Sequence, residues 1–161
     1  MVSVRKATSA DASGILACLS AAFEVYRDSY TPAAFADTIL TPETLHGRLQ
    51  VMTVSVATET SGEIVGTIAC SVVNLEEGHI RGMAVLPTAQ GSGVAGRLLA
   101  HAEAYFRQRN CERVSLETTA PLKRAIRFYK RSGFSPSGKV QDFFGMPLYE
   151  YVKAISSDRS P

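Results

Sequence analysis

Apolar and polar residues alternate at Val2-Ser3-Val4-Arg5, the pattern of a half-buried strand. Thr8-Ser9-Ala10-Asp11 then reads as a capping-box helix start, with aspartate in the position where glutamate is usual. Ile15, Leu16, Leu19, Ala22 and Phe23 recur at helical spacing and predict a first amphipathic helix. Residues 24–50 change character. Thr31-Pro32 and Thr41-Pro42 each put proline at a first helical position, so the segment reads as loop, short helix, loop and a second short helix ending near Leu49. Two runs rich in valine, isoleucine and threonine, Val51 to Ala57 and Ile64 to Val73, flank Ser61-Gly62 and predict an antiparallel hairpin. A turn at Glu76-Glu77-Gly78 leads into a strand from His79 to Val85, closed by Leu86-Pro87.

The second half repeats the alternation of strand and helix. Val94, Leu98, Ala102 and Tyr105/Phe106 form one helical stripe, and Asn110 is a helix stop. Arg113 to Glu117 is the next strand, parallel to the one ending at Val85 because a helix crosses between them. Pro121 opens a last helix with Leu122, Ala125, Ile126 and Tyr129 inward and Gly133 as its C-terminal cap. Alternation returns at Phe134 and from Met146 to Val152, around a loop at 135–145. One domain over 1–155 is expected, with a polar, frayed tail at 156–161. A chain of 161 residues is large enough to bury about 70% of its unfolded surface without staples.

Between the halves lies Gln90-Gly91-Ser92-Gly93-Val94-Ala95-Gly96, a glycine-rich turn opening a helix. The first turn of a helix leaves backbone N–H groups without partners and carries partial positive charge. Glycines there let a bulky anion approach the main chain, so the stretch is a candidate phosphate cradle. It fits the dinucleotide fingerprint G-x-G-x-x-G literally, and Glu112 and Glu117 lie near the ~20-residue distance at which that motif wants an acid. The pattern alone therefore leaves a nucleotide fold open. A nucleoside-triphosphate loop is excluded, since no Gly-Lys-Ser/Thr occurs.

Read as Gln-x-x-Gly-x-Ala, with its surroundings, the stretch resembles the GCN5-related N-acetyltransferase (GNAT) family. Met83-Ala84-Val85-Leu86-Pro87 is similar to the strand end before that family's cradle. Val114 to Thr118 is similar to its following strand, and Ala125-Ile126-Arg127-Phe128-Tyr129-Lys130-Arg131-Ser132-Gly133-Phe134 to its late helix. The likeness spans roughly residues 2–153 and is specific from about 79 to 134. It implies an α/β (α+β) fold: a mixed, mostly antiparallel sheet of six or seven strands, helices on both faces, and a V-shaped splay between two parallel strands. The implied activity is transfer of an acetyl group from acetyl-coenzyme A to a primary amine, in a ternary complex and without a metal. A catalytically silent coenzyme A-binding module and a nucleotide-binding oxidoreductase are the rivals.

Site residues follow from the same resemblance. Gln90, Gly91, Ser92, Gly93, Val94, Ala95 and Gly96 would hold the diphosphate, and Met83, Ala84 and Val85 the pantetheine arm, with a strand bulge one way to part the strands. Tyr129 would be the general acid and a coenzyme contact; a phenol with pKa ~10 is protonated at neutral pH. Its place on the inner stripe also suits a plain core tyrosine. Glu117, His79 and Glu77 are candidate bases, with a water chain to bulk solvent as the alternative, and only a histidine titrates near pH 7 unaided. Tyr26, Tyr30 and Phe144 are candidate acceptor contacts, within segments 24–50 and 141–146 that carry no transferable code. The family's asparagine before the tyrosine helix is replaced by Thr118-Thr119-Ala120-Pro121-Leu122, leaving a threonine hydroxyl as the substitute contact. Among Lys123, Arg124, Arg127, Lys130 and Arg131, one member reaching the adenosine 3′-phosphate and a solvated helix face are both open.

Composition narrows the partners. Seventeen basic against fifteen acidic residues leave a net charge of +2, with no block suited to nucleic acid or an anionic membrane. A small-molecule or peptide amine is favoured. Three scattered cysteines without C-x-x-C spacing argue against a disulfide framework or a zinc site. No apolar run approaches the ~20 residues of a membrane span, and the expectation is a cytoplasmic chain. Phe143-Phe144 marks a candidate homodimer contact.

Overall fold

A computed structural model describes residues 1–156; nearly all of the tail expected at 156–161 lies outside the described residues. Strands β1 (Ser3–Lys6), β2 (Thr53–Thr58), β3 (Ile64–Val72), β4 (Glu77–Val85), β5 (Arg113–Thr118), β6 (Ser135–Phe143) and β7 (Met146–Ala154) form one sheet in the order β1-β2-β3-β4-β5-β7-β6. Every neighbouring pair is antiparallel except β4 and β5, as their helical crossover requires. Five helices, α1 (Ala12–Phe23), α2 (Pro32–Ile39), α3 (Pro42–Val51), α4 (Val94–Gln108) and α5 (Lys123–Arg131), complete the mixed α/β fold.

The expected apolar stripes build the two sides of the core. On one face α4 buries Val94, Leu98, Ala102 and Phe106 against Ile68, Ile80 and Val114, and α5 adds Tyr129. On the other face Ile15, Cys18 and Leu19 of α1 and Leu45 of α3 cover Val54, Val56 and Ala69. A third cluster of Tyr30, Phe35 and Met146 fastens the α2 region to the β6–β7 hairpin. Both proline-initiated helices carry the cap their sequences promise: Ala34 N–H donates to Thr31 Oγ1 and Thr44 N–H to Thr41 Oγ1, each at 3.2 Å. Asp11 completes its capping box by accepting from Thr8 N–H at 2.8 Å. Cys18, Cys70 and Cys111 are free and buried, and burial pushes the thiols of Cys18 and Cys70 up to about 11 and about 12.

The structure corrects four sequence expectations. The expected loop at 135–145 is mostly strand: β6 runs Ser135–Phe143 and turns to β7 through Phe144 and Gly145, both at positive φ. β6 is an edge strand exposed along nearly its whole length, so it has no buried face to generate alternation. Glu77 lies inside β4 rather than in a turn, because Glu77 and Gly78 already pair with Arg113 and Val114 of β5. Val51 ends α3, exposed, rather than opening β2. The last helix starts at Lys123, two residues after Pro121, because Leu122 and Lys123 first close turns onto Thr119 and Pro121.

Candidate active site

β4 and β5 share a register only from Glu77 to Ile80 and Arg113 to Leu116. Both strands continue past it, to Val85 and Thr118. On its other side β4 carries an extra residue. Ala84 faces Thr67 and Arg81 faces Ala69, so Gly82 and Met83 stand opposite Ile68 alone. This is a β-bulge, and Gly82 turns it at φ +59, a left-handed value that favours glycine. A cleft of about 350 Å³ opens beside the parted strands.

The glycine-rich turn stands at the end of β4. Gly93 caps α4 at φ +88, and among the described residues Arg97 is the first helix amide to find a carbonyl partner, Gly93 O at 3.2 Å. The amides of residues 91–96 are therefore available to an anion. Ser92 Oγ donates to Ala89 O, and the Gln90 side chain donates to Val85 O at 3.2 Å. Gln90 thus ties the cradle to the strand end by its amide. Arg124, of the basic cluster on α5, brings its guanidinium to the edge of Gly91.

Tyr129 reaches the cleft from α5. Its ring lies against Phe134, and its hydroxyl donates to Met83 Sδ, a weak acceptor, at 3.7 Å. Burial pushes its phenol up to about 12. Across the gap the three acidic or basic candidates form one polar chain. His79 Nε2 lies 3.2 Å from Glu117 Oε1, and His79 Nδ1 lies 2.9 Å from Ser115 Oγ. Ser115 donates its single proton to Glu77 Oε2 at 3.0 Å, so towards His79 its oxygen accepts. Both ring nitrogens face oxygens, Nδ1 that of Ser115 and Nε2 that of Glu117. The His79 hydrogen bond holds the Glu117 carboxyl below its ordinary range, against the opposing effect of burial. Gln141, oriented to satisfy its neighbours, donates to Glu117 Oε2 at 3.0 Å and accepts from Lys139 Nζ at 3.2 Å. His79 and Glu117 line the cleft; Glu77 lies behind Ser115, held by Arg113 at 3.3 Å.

The acceptor candidates divide. Tyr30 lines the cleft, with its hydroxyl bonded to Thr119 Oγ1 at 2.7 Å. Tyr26 packs beside Phe23, outside the cleft lining, and Phe144 is exposed at the hairpin turn while its neighbour Phe143 faces the cleft. Sequence reasoning did not single out Arg48 or Asp142, which also line the cleft. Only their segments were flagged, since isolated polar residues there follow no pattern. The Thr118 hydroxyl, in the tract that replaces the asparagine, is buried in the lining without a partner.

A splayed parallel pair, a bulge and a helix start with free amides define an acyl-coenzyme A N-acyltransferase fold. A sequence model of the acetyltransferase (GNAT) family matches residues 17–134, and the chain belongs to that family. It is an acetyltransferase by that membership. Its fold is similar to that of the PaiA N-acetyltransferase from Thermoplasma acidophilum in complex with coenzyme A: TM-score 0.80, 16% identity, 96% of this chain and 99% of that chain covered. The ribosomal-protein-S18-alanine N-acetyltransferase from Escherichia coli is similar at TM-score 0.77 and 18% identity, over 99% of this chain and 97% of that one. The ribosomal-protein-alanine N-acetyltransferase from Brucella melitensis gives 0.72 and 23%, over 95% and 99%. No curated protein matches the sequence. No helix among the described residues is long and apolar enough to cross a membrane.

Proposed function

We propose that the chain moves an acetyl group from acetyl-coenzyme A to a primary amine by direct attack in a ternary complex. The observation that carries this is the end of the β4–β5 register at Ile80 and Leu116, beside a helix start with unpartnered amides. The amides of Gly91–Gly96 grip the diphosphate, with Arg124 adding charge at its edge. Peptide groups of Met83, Ala84 and Val85 that face the gap hold the pantetheine arm. One of their N–H groups donates to the thioester oxygen as it gathers charge. Thr118 Oγ1 gains from the arm the partner it lacks.

Acetyl-coenzyme A supplies the acetyl group; the chain supplies position and proton handling. The Glu117–His79 pair acts as the base, taking the proton that the ammonium must lose before attack. Glu77 orients the imidazole through Ser115. Tyr129 donates a hydrogen bond to the sulfur that leaves as the new N–C bond replaces the C–S bond, and the proton that the nitrogen sheds after attack ends on the departing thiolate. Arg48, Tyr30, Asp142 and Phe143 surround the amine's side of the cleft.

Thermal-shift titration and thiol release test this reading together. Acetyl-coenzyme A should raise Tm where NAD does not, and a panel of amines should contain one that releases free thiol. Stabilisation by NAD without stabilisation by acetyl-coenzyme A would overturn it in favour of a nucleotide-binding oxidoreductase.

A further inference from the structure

The identity of the amine, given the acetyltransferase reading on which this step rests, is constrained by Arg48. Its half-buried guanidinium lines the cleft and, among the described residues, has neither a hydrogen-bond nor an ion-pair partner. Neighbouring Arg81 is already engaged by Asp37 at 3.3 Å. Burial first, and the charge of Arg81 second, pull the Arg48 guanidinium down to about 10. A guanidinium that is partly desolvated, set between the charges of Arg81 and Asp37 and bonded to neither has donors to offer an anion. The backbone makes room for it: a Cβ on Gly82 would overlap Arg48 Nη1, so the bulge glycine admits the guanidinium as well as turning the strand.

The same cleft carries the reverse charge, with Asp37 beside Arg81, Glu117 on β5 and Asp142 on β6. Phe23, Phe143 and Leu148 supply apolar surface in the same cleft. The coenzyme's phosphates do not account for Arg48. Its helix α3 and the cradle helix α4 cover opposite faces of the sheet, and it is Arg124 that borders Gly91. We propose that the acceptor is an amine that also bears a carboxylate: Arg48 takes the carboxylate in its planar fork, and the ammonium end faces Glu117. A polyamine, cationic at both ends, would set one charge against Arg48.

Matched pairs test this: glycine, β-alanine, 4-aminobutyrate, methionine and phenylalanine, each against its own carboxamide, with spermidine and O-phosphoethanolamine alongside. kcat/KM is read by thiol release at saturating acetyl-coenzyme A. At least one amino acid should exceed its carboxamide by about 10- to 100-fold, the ratio should fall to about one in Arg48→Gln, and Arg48→Lys should restore part of it. Arg48→Gln should keep its Tm rise on adding coenzyme A, which shows that it is folded. Equal rates within every pair, or preference for spermidine, would overturn the proposal, and preference for O-phosphoethanolamine would replace the carboxylate by a phosphate. If coenzyme A gives no Tm rise, or no amine releases thiol, the acetyltransferase reading fails separately. Calorimetric titration of the same amino acids then decides: binding that Arg48→Gln abolishes supports the anion site, and absence of binding overturns it.

Discussion

Replacing Tyr129 by phenylalanine removes one oxygen from the cleft and leaves the ring in place. The ring centroid lies 5.6 Å from that of Phe128 and 5.9 Å from that of Phe134, contacts that phenylalanine keeps. The hydroxyl meets only the Met83 thioether, so its loss should change stability by no more than about 1 kcal/mol. In a chain of this size that is about 2–4 °C in Tm. The kinetic effect is larger, and the phenol's environment sets its size. With the phenol pushed up to about 12 and a thiol near ~8.5, complete proton transfer to the thiolate is uphill by about 5 kcal/mol. On the proposed mechanism Tyr129 therefore works as a hydrogen-bond donor to the sulfur as charge develops, not by surrendering its proton outright. The expected loss in kcat sits near the low end of the ~10²–10⁴ range for positioned proton donors, about 2.7 kcal/mol at a hundredfold. Steady-state thiol release should show that loss, with KM for acetyl-coenzyme A changed by less than about threefold, because the lost interaction forms mainly in the transition state. The wild-type profile should show no alkaline limb due to Tyr129 below about pH 10, since the phenol is still protonated there. An unchanged kcat, or an alkaline limb that Tyr129→Phe abolishes, would refute this account.

Glu117→Gln tests the proposed proton-accepting pair and its linkage to stability. The His79 hydrogen bond lowers the Glu117 carboxyl on folding, so its contribution is present above the unfolded value of ~4.3 and lost as pH falls through the folded one. The Tm advantage of wild type over Glu117→Gln should shrink as pH falls from about 5 to 3, and a pH-independent gap would contradict the pairing. Gly78→Ala drives a methyl group into the fully buried Phe106 ring and should cost about 1–3 kcal/mol in urea denaturation. Lys153→Met removes the 2.8 Å partner of Glu103, a carboxylate only 7% exposed that keeps Arg107 at 3.3 Å. It should cost about 1–3 kcal/mol, and a wild-type urea midpoint would show the pair to be idle.

Where a face is buried, the chain announces its own fold. The stripe Val94, Leu98, Ala102, Phe106 predicts α4 because each residue meets the sheet, and the two Thr-Pro starts predict α2 and α3 because capping is local chemistry. β6 escaped because its residues meet solvent along nearly the whole strand. Its turn also uses Phe144 at φ +51, where asparagine or aspartate would have signalled a hairpin. Asn110, at φ +62, is the opposite case: a helix stop legible because the residue type suits the conformation.

The candidate site was legible in proportion to how much of it is backbone. A cradle of main-chain amides needs glycines at fixed offsets, and those stand in the sequence as Gly91, Gly93 and Gly96. The polar chain is different, because it is created by register. Parallel pairing sets His79 beside Ser115 and Glu77 beside Arg113, and alternation along each strand then puts Glu77 and His79 on the same face as Ser115 and Glu117. Glu77, His79 and Glu117 therefore appear as three competing bases in the sequence and as one connected system in the fold. Ser115, which joins them, carries no sequence signal of its own. Once its proton is committed to Glu77, its oxygen must accept from His79 Nδ1, and Nε2 is left to Glu117. Ser115→Ala should thus free the imidazole from Glu77 while leaving the Glu117 contact intact. kcat should then fall in Ser115→Ala while KM for acetyl-coenzyme A holds, and an unchanged kcat would show that Glu77 plays no part in setting the pair.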